Sequence, residues 1–269
     1  MKSVDTLGCE FGYELIMVLP YVHYLHKQGI EVQVHTCVGM EPFYYFLDTK
    51  YVHIKYTKRR GAIPSNTPLR NIHFHNLDTS EWDFPSLKDC YRDFELKTSF
   101  EKEPLIISNK YTTEWGHSPI NYLPVEVLDI LFEGLSQFYT IIYNRPLAKN
   151  IVEDHSVNFD LGDYDLIKSK YPSVVEMNTL YEAEGLDYNL LQIVLGAKTS
   201  KFISVQGGNS ILSSLFGGTN LVYAKKGSEL KHNSFQGWYS AFSGCKVVDT
   251  PDYVELIQLV QQKYINEAV

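Results

Sequence analysis

Ser204-Val205-Gln206-Gly207-Gly208-Asn209-Ser210-Ile211-Leu212 is the stretch on which the reading of this chain turns. Lys201 to Val205 (KFISV) is a β-branched and aromatic run of buried-strand type. Gly207 and Gly208 carry no Cβ, so the backbone can turn sharply there and come close to a ligand. Asn209 or Ser210 is expected to cap a helix over Ile211 to Phe216, leaving its first N–H groups free. Free N–H groups at the positive end of a helix dipole form an anion site. The same residues also fit a tight turn in any α/β protein, so the flanking sequence decides.

Upstream, the pattern from Pro104 alternates. Strands are expected at Leu105 to Ser108, Tyr139 to Tyr143 and Val174 to Met177, with helices at Val125 to Phe138 and Asn189 to Ala197. Pro146 to Ser156 is a polar connection. Downstream come a strand at Asn220 to Ala224, a long loop from Lys225 to Gly244, and a strand at Lys246 to Val248. Thr250-Pro251 then starts a helix to about Asn266. The first hundred residues repeat the alternation. Ser3 to Leu7, Glu31 to Val38, Tyr51 to Tyr56 and Asn71 to Asn76 read as strands. Leu15, Val18, Leu19, Val22 and Leu25 recur at helical spacing up to Gly29, and short helices are expected at Pro42 to Leu47 and Leu87 to Leu96. Lys58-Arg59-Arg60-Gly61 opens a loop. The fold class is α/β: two facing Rossmann-like domains, 1–103 and 104–250, with a cleft between them and a C-terminal helix over 251–269.

Composition narrows the function classes. The net charge of -8, from 24 Lys and Arg against 32 Asp and Glu, argues against a nucleic-acid binder. The 14% aromatic content, with 20 Tyr, fits grooves that stack sugars or bases, and equally fits surplus core aromatics. Cys9, Cys37, Cys90 and Cys245 show no CxxC pair and read as free thiols of a reducing compartment. Lys2 is followed at once by polar Ser3, Asp5 and Thr6, unlike a signal peptide, and Leu15 to Val22 is too short to span a bilayer. A cytoplasmic location is expected.

Two facing Rossmann-like halves with a late glycine turn resemble the GT-B glycosyltransferases, and within them the heptosyltransferase-like group of bacterial lipopolysaccharide synthesis. That group opens with a strand, a glycine loop, an acid and an apolar helix turn ending Leu-Pro. Gly12-Tyr13-Glu14-Leu15-Ile16-Met17-Val18-Leu19-Pro20 has that layout, with Glu14 where the group has its catalytic Asp. Gln206-Gly207-Gly208-Asn209-Ser210 stands where the group's Asp-Thr-Gly strand end leads into the helix that holds the donor diphosphate. The chain departs from the group in having Glu for Asp at 14, in lacking Asp-Thr-Gly-x-x-His and in being short. The resemblance implies transfer of a sugar from a nucleotide-diphosphate donor to a glycan or other hydroxyl acceptor. The expected reaction is inverting, metal-independent and without a cofactor. An epimerase of the same fold and a non-catalytic nucleotide- or glycan-binding protein are the alternatives.

Inverting transfer needs a base on the acceptor hydroxyl and positive or N–H groups on the leaving diphosphate. Glu14 is the expected base, its carboxylate pointing into the cleft, and Glu10 the second candidate; either acid could instead simply favour the helix dipole or the solvent. Beside Gly207, Gly208, Asn209 and Ser210, the donor candidates are Asn109 and Lys110 after one strand and Arg145 after the next. Glu182 and Glu184, in a polar segment before a helix, could hold a ribose hydroxyl. His232 and Trp238 are candidate acceptor or sugar contacts. Asp163-Tyr164-Asp165 resembles the metal-holding DxD of GT-A enzymes, but acids in a first helical turn account for it more cheaply. His73 and His75 share one strand face and are expected to be structural.

Overall fold

A computed structural model describes residues 1–61, 67–68, 80–147, 150, 152–154, 156–237 and 239–267. The expected strand Asn71 to Asn76, with His73 and His75, lies outside them.

The first half holds a parallel sheet in the order β1 (Lys2–Asp5), β2 (Val32–Cys37), β3 (Val52–Tyr56). One helical stretch joins β1 to β2: α1 (Phe11–Tyr13), a π turn (Glu14–Val18) and α2 (Leu19–Lys27). Pro20 and a distant tryptophan set the π turn. Pro20 has no N–H, so the Ile16 carbonyl four residues earlier lacks its helical donor. Trp82 Nε1 donates to that carbonyl at 2.6 Å instead, and the Leu19 N–H closes a wider ring onto the Glu14 carbonyl. α3 (Leu87–Tyr91) is shorter than expected.

The second half is a six-stranded parallel sheet in the order β6 (Val175–Glu176), β5 (Thr140–Asn144), β4 (Pro104–Ser108), β7 (Lys201–Val205), β8 (Thr219–Tyr223), β9 (Lys246–Thr250). Numbered within the half, that is 3-2-1-4-5-6, the doubly wound order, whose topological switch point falls between β4 and β7. Ser108 pairs with Asn144 on one side and with Ser204 on the other. The three strand ends are therefore level. Asn109-Lys110, Arg145 and Gln206-Gly207 leave them side by side.

Alternation along the strands assigns the two faces. Leu105, Ile107, Ile203 and Val205 pack with Leu128 of α4 (Val125–Leu135) and with Leu256 of α11 (Tyr253–Val260). Ile106, Phe202 and Val222 face the other way, onto α7 (Tyr188–Ala197) and α8 (Gly208–Ser213). Leu15, Leu19 and Val34 of the first half belong to that same core, so apolar packing joins the halves. α3 lies against α7, and α1 against α8.

Several local expectations change. Glu176-to-Glu184 is not a loop: α6 (Met177–Glu184) follows α5 (Asp163–Lys170) and β6 directly and ends on Gly185. The segment 225–244 folds into α9 (Ser228–Lys231), α10 (Ser234–Gly237) and a 3-10 turn (Tyr239–Phe242). α8 begins earlier than expected, with Gly207 at its N-terminal boundary at φ +123 and no capping side chain. Ser210 is within the helix, its Oγ donating to the Gly207 carbonyl at 2.8 Å. Asp252, not Thr250, caps α11, accepting from the Glu255 N–H.

α1 and α8 meet through glycine. A Cβ on Gly208 would lie 2.9 Å from the Phe11 ring, and one on Gly12 would lie 2.9 Å from Ile211 Cδ1. The two substitutions should differ. Gly208→Val meets an aromatic ring close to its backbone and should destabilise by about 1–3 kcal/mol. Gly12→Ala meets the mobile end of an isoleucine and should cost less. Urea denaturation checks the order through the midpoints at constant m.

Candidate functional site

The cleft opens where the switch point of the large sheet faces the start of α1. Its main chamber, about 270 Å³, is lined by Glu10, Phe11, Gly12 and Arg59 from the first half. Lys110, Arg145, Gln206, Gly208 and Asn209 line it from the second. A smaller chamber of about 140 Å³ shares Glu10, Gly12, Gln206 and Gly208 with the first, and adds Tyr13, Trp115 and Glu229. Glu10 lines both.

Each cation of the main chamber is braced by a buried acid. Arg59, 4% exposed, donates from Nη1 to the Cys9 carbonyl at 2.8 Å and to Glu14 at 2.9 Å. Its other terminal nitrogen, Nη2, is buried without a hydrogen-bond partner. Arg145 forks onto Asp163 at 2.5 and 2.7 Å and lies over the Tyr164 ring. Lys110 pairs with Glu114 at 3.0 Å, and its Nζ stands 3.2 Å from where a Cβ on Gly207 would be. The Gly208 and Asn209 N–H groups, first in α8, have no acceptor among the described residues. Three cations and the amino end of a helix thus face one space.

The structure corrects the expectation for Glu14. Its carboxylate is 0% exposed, accepting from Thr36, from Tyr44 at 3.0 Å and from Arg59 at 2.9 Å. It lines neither chamber. The reason is the π turn: counting back from Leu19-Pro20 at the α repeat puts Glu14 on the wrong face. Glu10 precedes the first helical turn and opens onto the cleft instead. Burial pushes its carboxyl above the usual carboxylate range, and Asp154 and Glu229 push the same way, against Arg59 and Lys110.

The remaining candidates divide. Lys110, Arg145, Gly208 and Asn209 line the main chamber, and Gly207 and Gly208 the smaller. Asn109 is buried below them; its side chain clamps Leu123 N–H and carbonyl, both at 2.9 Å, and accepts from the Lys110 N–H. Ser210 is buried inside α8. Glu184 ends α6 and accepts from the Lys97 and Thr98 N–H groups, both at 2.9 Å. Burial pushes its carboxyl up, and the hydrogen bonds from Thr98 and Lys97 outweigh it and hold it down. It lies away from both chambers, as do exposed Glu182 on the same helix and His232. Trp238 lies outside the described residues. In the DxD segment, Asp163 is spent on Arg145 and on the Tyr143 hydroxyl at 2.6 Å. Among the described residues no group of three or more His, Cys, Asp or Glu could hold a metal ion. The four cysteines are unpaired, and burial pushes the Cys9 thiol far up.

Three site residues escaped the sequence reading. Arg59 sat in a basic run after β3, and that run was the available signal. Trp115 and Glu229 carried none: their positions follow from a turn and a short helix that only the fold brings to the cleft.

Agreement with known proteins is at the level of fold and comes from a solved structure. No family model matches the chain, and no curated protein matches it either. Among solved structures, "E. coli heptosyltransferase WaaC with ADP-2-deoxy-2-fluoro heptose" is similar, with a TM-score of 0.57 over all of both chains at 10% identity. The architecture is GT-B-like. No helix among the described residues is long and apolar enough to cross a membrane.

Removal of Glu14 should be a stability lesion. Glu14→Ala leaves the Arg59 guanidinium buried and unpaired, and breaking such a pair costs about 3–5 kcal/mol. Glu10→Gln, at a half-open position without a capping bond, should change stability by less than about 0.5 kcal/mol. Chemical denaturation of the two variants separates them; a stable Glu14→Ala protein would refute the bracing role.

Proposed function

We propose that this protein is a GT-B-type glycosyltransferase that moves a sugar from a nucleotide-diphosphate donor to a hydroxyl acceptor, with inversion and without a metal ion, in the cytoplasm. The observation that carries this reading is the position of Glu10, on the wall common to two chambers, one of them lined by cations. The diphosphate takes the main chamber, against Lys110, Arg59 and the Gly208 and Asn209 N–H groups. The acceptor takes the smaller one. A solved structure of similar fold is named for a heptosyltransferase with an ADP-sugar analogue, which supports a nucleotide-sugar donor.

In the proposed reaction the acceptor oxygen attacks the anomeric carbon while Glu10 takes its proton. The carbon–oxygen bond to the diphosphate breaks on the opposite face. The charge that develops on the leaving oxygen meets the Lys110 ammonium and the helix N–H groups, with the positive charge of the Arg59 guanidinium behind them. Arg145, committed to Asp163 by two hydrogen bonds, shapes the floor. Glu14 acts only by fixing Arg59.

Three outcomes test the proposal. Glu10→Gln should lower kcat by roughly 10²–10⁴-fold, the usual worth of a general base, with donor affinity nearly unchanged. Since burial, Asp154 and Glu229 raise the Glu10 carboxyl, activity should be lost as pH falls at a point above the ordinary glutamate range. That limb should vanish in Glu10→Gln. Excess EDTA should leave transfer intact; loss of activity restored by Mn²⁺ would replace the metal-free mechanism. Near-wild-type kcat in Glu10→Gln would remove the base assignment.

A further inference from the structure

The smaller chamber has a chemistry of its own. Among the described residues no lysine or arginine lines it; Glu10, Glu229, Tyr13 and Trp115 do. Trp115 is 57% exposed. Its backbone is at φ +48, and Gly116 follows at +77. Glu114 and His117 close the turn, each N–H donating to the other's carbonyl, at 3.1 and 2.9 Å. Two successive positive φ values mark a type I′ hairpin turn, where Asn-Gly or Gly-Gly is usual and a bulky first residue is strained. Local stability does not select tryptophan here.

Packing does not select it either. The Lys226 ammonium stands 6.0 Å from the ring centroid, at the outer limit of a cation–π contact. Yet the arm that carries the ring is firmly rooted. Buried Glu114 accepts from the Ile120 and Asn121 N–H groups at 3.1 and 2.8 Å and from Asn121 Nδ2 at 2.7 Å, besides pairing with Lys110. A strained, solvent-facing aromatic on a fixed arm implies a use outside the fold. Glu229, on the same chamber, is 6% exposed and accepts one hydrogen bond, from Gln206 Nε2 at 2.8 Å. No other hydrogen bond reaches its carboxylate among the described residues. An indole and a buried carboxylate with spare acceptor capacity, lining one chamber, suit a ring that offers C–H groups on one side and hydroxyls on its rim.

We propose that this chamber binds an uncharged sugar ring of the acceptor, stacked on Trp115, with a hydroxyl donating to Glu229. The word acceptor rests on the transfer reading above; the sugar site does not. The two carboxylates on the walls disfavour an acidic sugar, whose charge would have the sign of Glu10 and Glu229.

Isothermal titration of the full chain with methyl hexosides (glucoside, galactoside, N-acetylglucosaminide) and with methyl glucuronide tests this. At least one neutral hexoside should bind and the glucuronide should not. Trp115→Asn, which tolerates the left-handed backbone, should weaken that binding roughly tenfold, about the worth of an aromatic stack. Trp115→Phe should restore most of it. Absence of binding by every neutral hexoside, equal affinity in Trp115→Asn, or tighter binding of the glucuronide would each overturn the proposal. Titration with ADP, GDP and UDP runs in parallel. Hexoside binding without nucleotide binding would uphold this site and defeat the transfer reading; nucleotide binding without hexoside binding would defeat this inference alone.

Discussion

The contact between Gly12 and Gly208 sets the geometry of the cleft. A Cβ on Gly12 would come within 3.6 Å of Gly208 Cα, and one on Gly208 within 3.7 Å of Gly12 N. Because neither residue has a side chain, the starts of α1 and α8 touch almost backbone to backbone. Two helix amino ends, one from each half, therefore open into the same space, and the residues flanking them, Glu10 and Gln206, stand on the wall that the two chambers share. A larger residue at either position would press first on a side chain of the facing helix, on the Phe11 ring from Gly208 and on the Ile211 tip from Gly12.

Buried acids then fix what faces the cleft. Glu14 holds Arg59, Asp163 holds Arg145 and Glu114 holds Lys110. A buried carboxylate is tolerable only with a cation and hydrogen bonds around it. Each of these acids meets that requirement by taking a basic side chain that also borders the cleft. The cations are thus positioned before any ligand arrives, which is the condition under which fixed charge stabilises a developing anion without reorganisation. Glu10 is the exception. It is open, its neighbours Asp154 and Glu229 share its sign, and it is the acid in the main chamber wall that is common to the second chamber as well.

The α/β alternation and the glycine turn were legible because they rest on local pattern: β-branched runs, helical apolar spacing, and residues without a Cβ. Lys110 and Arg145 were candidates as residues just past parallel strand ends, and the level register of Ser108, Asn144 and Ser204 leaves both on the main chamber. Glu14 could not. Its direction depends on a π turn set by Pro20 together with Trp82, a residue far along the chain, and such a long-range hydrogen bond leaves no mark in the spacing. Arg59, Glu229 and Trp115 were hidden for a similar reason: each lies in a segment whose placement only tertiary contacts determine. Glu184 misled in the opposite way. Its polar surroundings looked like a loop, while the helix they form turns its carboxylate onto the backbone of Lys97 and Thr98.

The central claim is that the amino end of α8, at the switch point of the large sheet, receives a nucleoside diphosphate. Amide nuclear magnetic resonance spectra recorded while ADP, GDP or UDP is added follow that place directly. The account predicts that one of these nucleotides displaces the signals of Gly207, Gly208 and Asn209, together with those of Lys110, Phe11 and Gly12, and leaves those of α11 in place. Spectra that stay unchanged with all three nucleotides, or that move only at residues away from the cleft, would contradict it.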